Sequence, residues 1–317
     1  MESRGKRRVS VTGERVISAK GLAKRYDAFE AVKGIDFEVR SGEVFGLLGS
    51  NGAGKSSTMR MIGCVSRPTS GELRVLGMDP VKDGSRIRGR IGVCPQFDNL
   101  DPDLTVRENL YAYSRFFGIP RAKGRRRADE LLEFFEIADK AHGKVAAMSG
   151  GMKRRLTIAR ALINNPEIVL LDEPTTGLDP QARHLVWERL HQLKRQGITL
   201  ILTTHYMDEA EQLCDRLVIM RSGRFVAEGS PASLIRTYTQ PEVVELRFAS
   251  DDLRALAEKV DDLGRVEVLP DRLLIYTDRG NDVAARVRDR ALGPSSVLVR
   301  RSGLEDAFLA LTGRDAR

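Results

Sequence analysis

Apolar residues along this chain come in two rhythms. Short unbroken runs, "EVFGLLG" (43–49), "IGVCPQ" (91–96), "EIVLLDEP" (167–174), "ITLILTTH" (198–205) and "RLVIM" (216–220), alternate with longer stretches of helical spacing. Strands buried on both faces read this way, so residues 15–240 are expected to form an α/β domain on a largely parallel sheet. "GIDFEVRSGEV" (34–44) alternates in twos and ends at Ser41-Gly42, which predicts a small antiparallel sheet beside the main one. Between Gln96 and Ser149 the strand rhythm lapses. Residues 106–119 and 127–141 carry helical spacing with no strand between them, which predicts a helical insertion over 97–150.

Gly, Pro and Ser punctuate residues 223–242 and close this first domain. The remainder, 241–317, reads as strand 243–248, helix 251–263, strands "RVEVLP" and "RLLIYT", helix 281–291 and strand 296–301. That βαββαβ order is the order of a split-βαβ, ferredoxin-like α+β unit. A last helix, 303–313, sets Leu304, Phe308 and Leu311 on one face. No catalytic constellation falls in this accessory domain, whose expected role is regulation or simple stabilisation. Residues 1–14 are expected to be a flexible basic tail.

Composition narrows the class. With 41% hydrophobic and 30% charged residues the 317-residue chain is globular rather than disordered. No run approaches the ~18 apolar residues of a membrane span, and no apolar segment follows the N-terminal charges as in a secretory signal, so a cytoplasmic setting is expected. Three scattered cysteines, Cys64, Cys94 and Cys214, fit neither a disulfide framework nor a metal motif. The net charge of +8 would suit nucleic acid or an anionic membrane surface. The basic residues are spread out, without interleaved aromatics or a nucleic-acid motif, so no nucleic acid is expected as partner.

Two glycine-rich segments carry the chemistry. "GSNGAGKSS" (49–57) matches G-x-x-x-x-G-K-[ST] after a predicted strand and before a helical stretch. Gly49, Gly52 and Gly54, with Ser50, Asn51 and Ala53 between them, let backbone N–H groups close around phosphate oxygens. Lys55 would reach the β- and γ-phosphates, and the Ser56 hydroxyl would ligate Mg²⁺. "IVLLDEP" ends on an acidic pair: Asp172 to hold Mg²⁺ and Glu173 to orient and deprotonate an attacking water. Parallel strands deliver their C-terminal ends to one ligand edge. His205 is therefore expected at the γ-phosphate, and Gln96 at Mg²⁺ or the attacking water. The second segment, "MSGGMKRRLTIAR" (148–160), opens a basic helix with Ser149, Gly150 and Gly151. Exposed N–H groups beside a helix's positive end make a second anion site, which a single nucleotide does not need.

Tyr26, "GSNGAGKSS", Gln96, "MSGGM", "LLDEP", "TGLDP" and "TTH" stand in the order found in ATP-binding-cassette ATPases, which the chain resembles over residues 16–237. The resemblance implies that the nucleotide is ATP and that two copies pair head to tail. Ser149, Gly150 and Gly151 of one copy then cap the γ-phosphate held by the other. It also implies adenine stacking by Tyr26, ribose packing by Val32, an α-phosphate contact from Ser57 and coupling of the two sites through Asp179. Met148 and Met152 stand where Leu and Gln are usual, and Ser50 where Pro is common. None of these departures removes the serine or the glycines. SMC-like and DNA-repair ATPases share several pieces but separate them by a long coiled coil, and no heptad array occurs here.

"MSGGMKRRLTIARALINNPEIVLLDEPTTGLDPQARHLVWERL" and "TTHYMDEAEQLCDRL" resemble the motor subunits of lipo-chitooligosaccharide (nodulation-factor) exporters, a group of ABC-2 type. That resemblance implies two copies of a separate integral membrane permease of ABC-2 type and a peripheral place at the cytoplasmic face of the inner membrane. It further implies a permease-receiving surface at residues 97–104. Two alternatives stay open at this point: a drug, antibiotic or polysaccharide exporter with a similar motor, and a soluble cassette acting on nucleic acid or ribosomes.

Overall fold

The computed structural model describes residues 13–248 and 252–313, so most of the expected basic tail lies outside the described residues. The chain divides into two compact units between Glu228 and Gly229. This division falls ahead of the boundary expected near 240, because the helix Pro231–Tyr238 packs with the helix Leu304–Thr312 of the second unit.

The first unit is built on a six-stranded sheet in the order Ile91–Cys94, Ile168–Asp172, Thr199–Thr204, Val44–Leu48, Arg216–Arg221, Arg224–Gly229. The first five strands pair in parallel. Ser222 and Gly223, both at positive φ, turn the chain into the last. Val44–Leu48 is buried at every position, as its unbroken apolar run requires. The register sets Leu48 opposite Thr204, Asp172 opposite Thr203 and Cys94 opposite Leu171. Four strands therefore end on one edge.

Beside this sheet lies a three-stranded antiparallel one, ordered Phe29–Arg40, Arg15–Tyr26, Ser70–Val75. Its middle strand escaped the sequence pattern because register shifts near Ala19, Leu22 and Lys24 break the alternation in twos. One core joins both sheets, with Ile17, Leu22, Val32 and Phe37 packed in the same cluster as Leu47, Met61, Ile62 and Ile201. Phe37 stacks on Phe45 with ring centroids 5.8 Å apart.

The helical insertion contains Val106–Phe116 and Arg121–Phe134 and leads into Gly150–Ala161. Thr105 and Glu108 form a reciprocal capping box at the first of these. The second starts ahead of the predicted 127, taking "RAKGRRR" into its exposed first turns, and ends where Glu136 adopts a φ of 54°.

In the second unit the strands Glu242–Arg247, Arg265–Val268, Leu273–Thr277 and Ser296–Arg301 pair antiparallel. Along the sheet, Arg265–Val268 comes first, followed by Leu273–Thr277, Glu242–Arg247 and Ser296–Arg301. The helices Leu253–Glu258 and Gly280–Asp289 cover one face, burying Val244, Leu246, Leu273 and Ile275 against Val283 and Val287. The helix expected over 251–263 ends at Glu258, and a 3-10 turn follows at Asp261–Leu263. On the other face Arg300 joins Glu245 to Asp306.

A Cβ on Gly92 would lie 1.9 Å from the carbonyl oxygen of Ala161, which is backbone and cannot step aside. Gly92→Ala is expected to cost ~1–3 kcal/mol by overpacking. Thermal unfolding of the full chain would register this as a midpoint lower by several degrees. An unchanged midpoint would mean that the strand and the helix Gly150–Ala161 do not approach this closely.

Candidate active site

Four strands of the central sheet carry polar groups to the same edge. Beyond Leu48 the chain turns through Gly49–Gly54 into the helix Lys55–Ile62. Gly52 and Gly54 hold φ of 80° and 108°, a region closed to most side chains. A Cβ on Gly54 would meet the Ala31 carbonyl oxygen at 2.4 Å. The loop is therefore wrapped against its own core, with its N–H groups at the helix start, a ready cradle for phosphate. The Lys55 amine is buried and donates to the Gly49 and Ser50 carbonyls at 2.7 and 3.0 Å. Burial holds its pKa below the ordinary lysine value, against the pull of Glu173 and Asp172.

Tyr26 ends its strand half-exposed, with the Lys24 amine 4.8 Å from the ring centre. Burial would raise the phenol's pKa. Hydrogen bonding to Ser57 and Ser66, together with the charges of Lys24 and Arg60, brings it below the ordinary value instead. The ring thus lies beside the phosphate loop. Val32 is 0% exposed and packs within the core on the neighbouring strand.

The Ser56 hydroxyl stands 3.4 Å from Asp172 Oδ1, and the Thr203 hydroxyl also donates to that oxygen. One carboxylate and one hydroxyl suit Mg²⁺ when phosphates and water supply the other ligands. Glu173 is buried and adopts a φ of 47°, a strained conformation for a residue with a side chain. Its N–H donates to the Thr203 hydroxyl at 3.0 Å. Its Oε2 accepts from Gln96 Nε2 and from the Thr176 hydroxyl, each at 3.1 Å. His205 Nδ1 lies 3.2 Å from Glu173 Oε1 without hydrogen-bond alignment. Gln96, Glu173 and His205 thus form one polar cluster, with Gln96 on Glu173.

The helix Gly150–Ala161 is capped by Ser149, whose hydroxyl accepts from the Met152 N–H at 3.3 Å. A Cβ on Gly150 would meet nothing, whereas one on Gly151 would come 2.9 Å from the Ala182 side chain. Asp179 caps the neighbouring helix Pro180–Arg195 through the Ala182 N–H at 2.9 Å. Side by side, these helix starts leave the Ser149 N-terminus open to solvent.

Three groups at the site were missed in the sequence. Thr203 shares its strand with Thr199 and Thr204, so nothing in the local sequence sets it apart. Arg154 lies in a basic run with no local sign of burial, yet it is buried. Glu209, fully buried, accepts from the Thr175 hydroxyl at 2.7 Å and from Trp187 Nε1 at 3.4 Å. Burial pushes its carboxyl pKa up.

A family model for ABC transporters matches residues 32–176. The Nod factor export ATP-binding protein I of Ralstonia nicotianae is 48% identical over 307 residues, 95% of each chain. Its namesake in Rhizobium etli is 48% identical over 297 residues, 93% of this chain and 92% of its own. Among solved structures, the dimeric ATP-binding cassette MJ0796, in a post-hydrolysis state bound to ADP and Pi, aligns with a TM-score of 0.63 at 31% identity. The match spans 68% of this chain and 98% of that one. The structure of cbiO1 from Clostridium perfringens, part of the ABC transporter complex cbiONQ, aligns at 0.64 with 28% identity, over 71% of this chain and 94% of its own.

Glu173→Gln preserves the hydrogen-bonding shape and removes the base. ATP binding is expected to survive while turnover falls ~10²–10⁴-fold, read by nucleotide titration beside a phosphate-release assay. Undiminished turnover would remove Glu173 from the chemistry. Glu209 holds its proton to higher pH in the folded chain than in the unfolded one. Stability is then highest below the unfolded carboxyl's range, ~pH 4.3, and declines as pH rises toward the folded value. Glu209→Gln keeps an acceptor for Thr175 and should remove that decline, raising the thermal midpoint at pH 8 but not at pH 4. Equal midpoints at both would show that Glu209 is ionised at no cost.

Proposed function

The chain belongs to the ABC transporter family and is an ATPase of its cassette type; on that premise we propose that it drives export of a lipo-oligosaccharide of the Nod-factor kind through a separate permease. The observation that carries the substrate reading is 48% identity over 95% of the chain, second unit included, to a Nod factor export ATP-binding protein. The phosphate loop, Gln96, Glu173 and His205 supply the reaction. Lys55 and the loop amides bind and orient the ATP phosphates, and the Glu173 carboxylate takes a proton from water held between it and Gln96. Mg²⁺, held by Ser56 and Asp172, would neutralise charge on the phosphates. The site also needs a second copy. The open Ser149 helix start suits the γ-phosphate held by a second copy in a head-to-tail pair.

Among the described residues no helix is long and apolar enough to cross a membrane. A groove of about 530 Å³ supports a permease seat: it lies between the segment Ser85–Val93 and the helix Val106–Phe116, and Arg88, Val93, Tyr113, Phe116 and Phe117 line it. Phe116 is 82% exposed there, a surface cost that a docked membrane-protein helix would remove. A permease of ABC-2 type, in two copies, places the motor at the cytoplasmic face of the inner membrane.

Inverted membrane vesicles bearing the chain and its co-purifying permease test this reading. ATP should drive uptake of a labelled lipo-chitooligosaccharide, and Glu173→Gln should stop it. Uptake of an amphipathic drug in place of the lipo-oligosaccharide would transfer the motor to a drug exporter.

A further inference from the structure

The guanidinium of Arg154 is buried, and each of its five N–H donors meets a backbone carbonyl. Nε donates to Pro174 at 2.8 Å. Nη1 donates to Pro95 at 2.5 Å and Gln96 at 3.2 Å. Nη2 donates to Asp172 at 2.7 Å and Glu173 at 2.9 Å. Its nearest carboxylate oxygen, on Asp98, is 4.0 Å away. The carbonyls come from two segments, Pro95–Gln96 and Asp172–Pro174, and the arginine from a third, the helix Gly150–Ala161 capped by Ser149. From the same helix the Arg160 guanidinium donates to the Asp98 and Asn99 carbonyls at 2.8 and 2.6 Å.

We propose that Arg154 is a positioning residue that fixes the Gln96 and Glu173 backbones to one another and to the helix whose N-terminus serves the opposite site. A planar fork can satisfy five acceptors in one plane; an ammonium has three donors on a flexible stem and cannot. Without the fork, five partly buried carbonyls lose their donor, and the two segments are free to part. The Gln96 amide, 3.1 Å from the Glu173 carboxylate, then no longer shares a water with it reliably. Movement of the helix reaches its own chain's hydrolytic pair through the same five bonds. This inference rests on Gln96 and Glu173 acting in hydrolysis.

The test uses the full chain with its permease and compares Arg154→Met, Arg154→Lys, Arg155→Met and Glu173→Gln. Arg155 is the internal control: it lies on the same helix, but its guanidinium donates to the Phe135 and Glu136 carbonyls, away from the site. Arg154→Met should leave the ATP dissociation constant within about twofold and lower kcat about 10²-fold, the scale of a misplaced catalytic group. Arg154→Lys should fall between it and the parent. Arg155→Met should lower the thermal midpoint with kcat kept within about twofold. A kcat unmoved by Arg154→Met overturns the proposal. So does a loss that Arg155→Met reproduces at equal loss of midpoint. If Arg154→Met does not fold, Arg154→Lys reads the same split between kcat and binding. A Glu173→Gln chain that still turns over locates the failure in the catalytic reading beneath.

Discussion

In the central sheet Leu48 stands opposite Thr204, Asp172 opposite Thr203 and Cys94 opposite Leu171. Because these strands are parallel and in step, the residues that follow each one leave the sheet together. A slip of one residue in any pair would turn its side chains to the other face. Register is strongly specified here because the strands are buried on both sides. The phosphate loop, the acidic pair, Gln96 and His205 depend on it for their proximity, though no two of these four lie near one another in sequence.

The edge so formed gathers charge that water would otherwise solvate. Lys55 is held by loop carbonyls, Asp172 by two hydroxyls, and Glu173 by Gln96, Thr176 and Thr203. Each group is oriented by neutral partners rather than by a direct opposite charge. Neutral partners fix geometry while leaving the cationic and anionic groups available to phosphate, metal and water. Glu173 carries the local strain of this arrangement in its left-handed backbone.

Close backbone approach is the other physical requirement. Gly54 admits the Ala31 carbonyl and Gly92 the Ala161 carbonyl, so neither the loop nor the strand beneath the Ser149 helix tolerates a Cβ in place. The helix Gly150–Ala161 is thereby held against the strand that ends near Gln96 and, through Arg154, against the acidic pair. One helix faces two ways: its N-terminus is turned outward, and its middle is fastened to the Gln96 and Glu173 backbones of its own chain.

Much of this could be read from the residues alone. Unbroken apolar runs located the buried strands, and glycine-lysine-serine spacing located the phosphate loop, because these signals come from burial on both faces and from local backbone need. The middle strand of the antiparallel sheet was illegible, since bulges break its alternation. Nothing in the run "MKRR" (152–155) distinguishes the half-buried Lys153 from the fully buried Arg154. The sequence by itself determined which local conformations and chemical groups are present, through steric and periodic rules acting over a few residues. Only the tertiary structure decided which groups meet. Arg154, Gln96, Glu173 and Thr203 are brought together by strand register and helix packing, and those depend on contacts between segments far apart in the chain.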